Sequence, residues 1–190
     1  LAAQAGITTP PKTWDDLKAM ARAIQAGGAK WGINLQPGKT GSWQTAMPFA
    51  WSNGATIADD KGYTFDSPEM TDALKYYQSF FTEKLAPTDL AEGALEPGFV
   101  KGEIGAFVSG PWHVGILKEQ GGAGFSDKFA VAPMPSAKSA TSFIGGSNIA
   151  VFKDAKNRDG AWKFIQWLSK PDVQVKWYQA AADLPAVQSA

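Results

Sequence analysis

Along this chain, helix starts marked by their own residues alternate with short apolar segments of strand type, and that alternation constrains the fold more than any other feature. Thr13-Trp14-Asp15-Asp16 has the spacing of an N-cap whose fourth residue folds back onto the first. Leu17, Met20, Ala21 and Ile24 then follow on one helical face until Gly27-Gly28 stops the helix. Ser67-Pro68-Glu69 combines a cap residue, proline at the first helical position and an early acid. It opens a long helix whose stripe is expected to run Met70, Leu74, Tyr77, Phe81 and to end near Leu85-Ala86-Pro87. Trp43, Met47, Ala50 and Trp51 are also at helical spacing, although Pro48 is expected to kink or shorten that helix. A short helix is expected around Phe99-Val100-Lys101 and another from Pro111 to about Glu119. Ala161, Phe164, Ile165 and Leu168 mark a further helix, which Pro171 breaks before a last one carrying Val173 and Trp177. Between these lie strand-like segments at 30–36, after which comes the turn PGKTG, at 104–108 and at 129–132. Residues 59–66 read as a hairpin or edge strand, and 143–152 as an extended run broken by Gly145-Gly146. The expected fold is α/β, an open mixed sheet flanked by helices.

Composition narrows the chemistry. With 44% hydrophobic and 12% aromatic content, 190 residues suffice for a buried core. The 18 basic and 18 acidic residues are scattered without runs of one sign, so no nucleic-acid partner is expected. Cysteine is absent and histidine occurs once, which removes thiol chemistry, disulfides and nearly all histidine-based metal sites, and no cofactor is called for. Eight tryptophans remain as the conspicuous functional material. No apolar run approaches the ~20 residues that span a bilayer. The start, LAAQAGITTPPKTW, lacks an initiator methionine and the basic and apolar regions of a signal peptide, and reads as an internal piece or a processed form.

The stretch GEIGAFVSGPWHVG places Trp112 where a strand gives way at once to a helix, the end of an open α/β sheet at which ligands bind. An indole there offers a flat apolar face beside free first-turn amides, a pairing that suits a sugar; the competing reading is a core residue at a helix start. Gly145-Gly146-Ser147-Asn148 joins two glycines, which let backbone approach a ligand or absorb a dihedral change, to hydroxyl and amide groups matched to a polyol. A plain bulge explains the same glycines. Trp43 and Trp51 lie on roughly one helical face, as further ring contacts or as packing. Catalytic patterns are poor by comparison: His113 has no nucleophile or second histidine in a known spacing, and the carboxylates sit at expected caps and surface turns.

The order of motifs resembles a family, the extracellular solute-binding proteins of carbohydrate ABC transporters. Thr8 to Leu17 is similar to that family's AGI-x-x-P-x-T-W-D-E-L segment, and Phe99 to Glu103 with Ile104 to Trp112 to its F-x-x-G-x-A-A-M-x-x-x-G-P-W. Ala132-Pro133-Met134-Pro135, Gly145 to Asn148, Ala161 to Ile165, Pro171 to Gln174 and Leu184-Pro185-Ala186 follow in family order. The resemblance implies a periplasmic-binding-protein-like fold of type II, with two lobes that close on a sugar. It implies that this chain is mostly the second lobe, residues 1–145, followed by a hinge crossing and helices over 146–190, with the other lobe largely absent. It gives Trp112 the role of stacking platform and Gly145, Gly146 and Ser147 close ligand contact near a hinge. Trp43 becomes a second aromatic contact. Trp51 lies where relatives carry two glycines and WSNGA keeps one, and Tyr178 and Asp183 lie where Ala182-Asp183 replaces a glycine-containing turn. The implied partners are a carbohydrate, a membrane permease and the missing lobe. The implied location is extracytoplasmic, in a periplasm or lipid-anchored outside the membrane, and self-association of the isolated piece is expected. No chemical step is implied. Two rival classes are a glycoside hydrolase fragment, which needs opposed carboxylates, and a protein-interaction module with a tryptophan patch.

Overall fold

In the computed structural model residues 1–38 and 41–190 are described; Lys39 and Thr40 of the turn PGKTG lie outside the described residues. Helix α1, Trp14–Ala26, begins as its sequence dictates. The Thr13 hydroxyl accepts from the Asp16 amide at 3.1 Å, while the Asp16 carboxylate accepts from the amides of Thr13 and Lys12 at 3.0 and 3.1 Å. Leu17, Ala21 and Ile24 are the buried face. Hydrogen bonds from Thr13, its amide foremost, hold the Asp16 carboxyl below its ordinary value of 3.8. Its contribution to stability is therefore complete above about pH 3.8 and is lost as pH falls through the lowered folded-state value. Thr13→Ala is expected to cost about 1 kcal/mol in urea unfolding at neutral pH, and Asp16→Asn to remove this part of the acid dependence.

Helix α2, Trp43–Ser52, runs through Pro48 without being shortened. Pro48 is fully buried, so packing offsets the hydrogen bond its ring nitrogen cannot make. A two-residue hairpin follows, β1 Ala58–Asp59 and β2 Gly62–Tyr63, turned by Asp59, whose side chain accepts from the amides of Lys61 and Gly62. Helix α3, Pro68–Thr82, starts under the Ser67 cap as expected. Its buried stripe is Met70, Ala73, Tyr77 and Phe80, not the expected Met70, Leu74, Tyr77, Phe81: Leu74 is 47% exposed. The rotation follows from the rings α3 meets, because Phe49 of α2 packs on Tyr76 and Tyr77 and Trp14 stacks on Tyr76 at 4.4 Å. The Tyr77 hydroxyl donates to the Gln36 carbonyl at 2.7 Å and lies 2.6 Å from the Thr45 hydroxyl, and burial pushes its pKa up to about 12.

The expected strands 30–36 and 104–108 do lie side by side, parallel, joined through the single bridge pairs Trp31 with Ile104 and Asn34 with Phe107. Trp31 and Asn34 donate to the carbonyls of Glu103 and Ala106 at 2.9 and 2.7 Å, and Gly105 donates back to Trp31 at 2.9 Å. Helix α1 crosses this pair at its glycines. A Cβ on Gly32 would stand 2.0 Å from the Ala21 carbonyl oxygen, and one on Gly105 would stand 2.2 Å from Ile24. Neither 129–132 nor 143–152 joins a ladder, contrary to the expectation. Several of their apolar side chains face out, Val131 at 75%, Ile144 at 96% and Phe152 at 82% exposure, with no neighbouring strand among the described residues.

Helix α4 is Leu95–Val100, and α5, Trp112–Gly121, starts one residue after the expected proline. Helices α6, Arg158–Leu168, and α7, Pro171–Ala181, complete the chain. No helix among the described residues is long and apolar enough to cross a membrane. The chain divides into two compact units. Unit 1, Leu1–Ser109 with Gln120–Phe143, contains the core of Leu17, Ile33, Leu35, Phe49, Met70, Phe80 and their neighbours. Unit 2 is Gly110–Glu119 with Ile144–Ala190, so most of α5 goes with the C-terminal helices. Within unit 2 only Leu117 and Val173 are buried apolar residues. The apolar stripe of α6 is half-buried or exposed because its only helical companions in the unit are α5 and α7.

Candidate functional site

Trp112 opens α5 in unit 2. The His113 and Val114 amides donate to the carbonyls of Gly110 and Pro111 at 3.2 and 3.0 Å, winding the turn from which the indole projects. The indole is 44% exposed and folds back over Gly110. A Cβ on Gly110 would lie 2.0 Å from its ring. Glycine at 110 is thus the space the ring occupies. Gly110→Ala is expected to turn the indole away while α5 persists, read as a shift in tryptophan emission without loss of helical circular dichroism.

Trp112, Gly115, Ile116 and Glu119 of α5 line an open concavity of about 410 Å³ with Ala180, Ala181 and Asp183. Asp183 is fixed there by Trp177, whose indole N–H donates to its carboxylate at 3.1 Å. Ala182, which precedes Asp183, has φ of 60°, the left-handed conformation that glycine adopts freely and alanine does not. The concavity therefore offers one aromatic wall and one oriented carboxylate acceptor. Tyr178 stands exposed on α7 outside it.

Gly145, Gly146 and Ser147 also belong to unit 2 but do not line the concavity. All three are exposed. A Cβ on Gly146 would meet nothing within 4 Å, and its φ lies outside the left-handed region. In unit 1, Trp43 starts α2 at 49% exposure, and Trp51 is half-buried against the core. The sequence reading missed Phe143, which lies perpendicular to Trp43 at 5.1 Å and nearly parallel to Trp51 at 6.4 Å. Its signal was present, an aromatic residue two places before the glycine pair. A second concavity of unit 1, about 370 Å³ beside Trp31 and Ile104, holds none of the expected site residues.

Asp16, Glu69 and Glu83 have carboxyls held below their ordinary values. Thr13 and Lys12 act on Asp16, its own amide and Lys138 on Glu69, and the Arg22 guanidinium, ahead of Lys18, on Glu83. Each is held as an anion by a cap or an ion pair, the opposite of the raised carboxyl a glycosidase acid needs.

An exposed indole thus stands on the same open concavity as an oriented carboxylate, in an α/β chain. Residues 1–175 match the model of the bacterial extracellular solute-binding protein family, and the chain belongs to that family. It is 29% identical to the maltotriose-binding protein of Pyrococcus abyssi over 94% of this chain and 39% of that one. It is 26% identical to the sn-glycerol-3-phosphate-binding periplasmic protein UgpB of Escherichia coli (strain K12), over 95% of this chain and 43% of that one. The GacH receptor of Streptomyces glaucescens, whose structures include acarbose complexes, superposes with a TM-score of 0.79 at 26% identity, over 98% of this chain and 48% of that one. The chain spans less than half the length of the curated relatives it matches.

Proposed function

We propose that this chain is the larger part of one lobe of a carbohydrate receptor that works outside the cytoplasmic membrane and hands its ligand to an ABC transporter permease. The observation that carries this reading is the Trp112 indole, half-exposed over Gly110 on the wall of a concavity that also holds the oriented Asp183 carboxylate. Sugar C–H groups pack on the ring, and hydroxyls donate to the carboxylate. Gly145, Gly146 and Ser147 meet the ligand when the other lobe closes on it, and on unit 1 the exposed Trp43 is a further candidate ring contact for a sugar. No bond is made or broken: the ligand is captured and released, in keeping with relatives named for what they bind.

Calorimetric titration with maltotriose and with sn-glycerol 3-phosphate tests the reading. A receptor carrying both lobes is expected to bind the sugar and to release no reducing ends over hours. Preference for the glycerol phosphate, or turnover, overturns it. The 190-residue chain alone provides half an enclosure, so its affinity is expected to be millimolar or weaker, about 4 kcal/mol or less.

A further inference from the structure

The segment that ends unit 1 is fastened alongside α2. The Ser52 hydroxyl accepts from the Ala137 amide at 2.8 Å and donates to the Ser139 carbonyl at 2.9 Å, and the Ser52 carbonyl accepts from the amides of Lys138 and Ser139 at 2.9 and 3.0 Å. Ser52 is buried, so these bonds are shielded from water. Four residues beyond Ser139 the chain sets Phe143 between two indoles, perpendicular to Trp43 and nearly parallel to Trp51. Trp51 is packed on the core, whereas Trp43 keeps half its surface in water. Phe143 is thus the link through which a half-exposed ring is held against one packed on the core.

We propose that Phe143 is a positioning residue for ligand binding: it holds the Trp43 indole in one orientation so that its exposed surface is set for a sugar ring. This inference rests on the carbohydrate reading. An exposed indole tethered only by its own backbone loses rotamer freedom when a ligand orders it, and that loss weakens binding. With Phe143 in place the freedom is already spent on folding. The perpendicular geometry is the favoured one for aromatic pairs, so a leucine of similar bulk fills the space without reproducing the restraint.

The test has two arms. In the 190-residue chain carrying 5-fluorotryptophan, with the Trp43 resonance assigned by Trp43→Phe, Phe143→Leu is expected to move and broaden that resonance, and Phe143→Tyr to restore it. An unchanged resonance in both Phe143→Leu and Phe143→Met overturns the proposal. In a receptor with both lobes, Phe143→Leu is expected to weaken maltotriose binding by roughly tenfold, with Phe143→Tyr near wild type and Phe143→Leu adding nothing to Trp43→Ala. Full affinity in Phe143→Leu, with Trp43→Ala impaired, overturns the role of Phe143 and leaves the carbohydrate reading standing. Absence of maltotriose binding in the wild-type receptor overturns the carbohydrate reading and this inference with it, whereas the fluorine arm reports on the ring contact either way.

Discussion

Alanine at position 32 is expected to destabilise the protein by at least about 3 kcal/mol, the severe end of overpacking, and in the limit to prevent folding of unit 1. A methyl there would stand 2.0 Å from the Ala21 carbonyl oxygen and 2.6 and 2.9 Å from the carbonyl carbon and Cα behind it. All three are helix backbone, which cannot swing aside as a side chain can. Gly105 completes the crossing, since its own missing Cβ would meet Ile24 and the Gly32 carbonyl. Relief would require lifting α1 off the paired segments 30–36 and 104–108, with loss of the burial of Ala21, Ile24, Ile33 and Ile104. Urea unfolding decides the matter, with Gly146→Ala as the control, where the added methyl meets nothing within 4 Å. Equal midpoints for the two variants would show that the close approach carries no weight.

Trp112→Ala is expected to weaken sugar binding by a two-lobe receptor by about 1.5 to 3 kcal/mol, roughly ten- to a hundredfold in Kd, with little change in melting temperature. The two parts have separate causes. Affinity falls because the aromatic wall of the concavity disappears, and stability holds because the ring lies over Gly110 rather than inside the core of unit 1. Unaltered maltotriose affinity by calorimetry would remove Trp112 from the site.

What the amino-acid sequence disclosed and what it concealed divide along physical lines. The starts of α1 and α3 were legible because a cap is settled within four residues: Thr13 and Asp16 satisfy each other, and Ser67 satisfies Met70. The inward face of α3 was not, since Leu74 and Ala73 are equally good helix residues and only the rings of Phe49 and Trp14 decide which turns in. Strand-like composition at 30–36 and 104–108 found partners and at 129–132 did not, because pairing is a property of neighbours. The start of α5 at Trp112 was legible from the Gly110-Pro111 turn that precedes it. Asp183 was named for its place in a family motif, yet its orientation by Trp177 and the Ala180-Ala181 wall depends on how α7 ends. Phe143 was overlooked because its meaning lies in two indoles some ninety and more positions earlier in the chain.

Unit 2 is stitched from two separated stretches, 110–119 and 144–190, and the concavity draws a wall from each. A single breakpoint in the chain can therefore separate its two sides. A recombination breakpoint anywhere between 120 and 143 exchanges the Ala180-to-Asp183 side while retaining the Trp112 side, and it leaves helices α1 to α3 in one parental copy. The shape and charge of the concavity can then change by mixing walls, a route closed to one built from a single continuous segment.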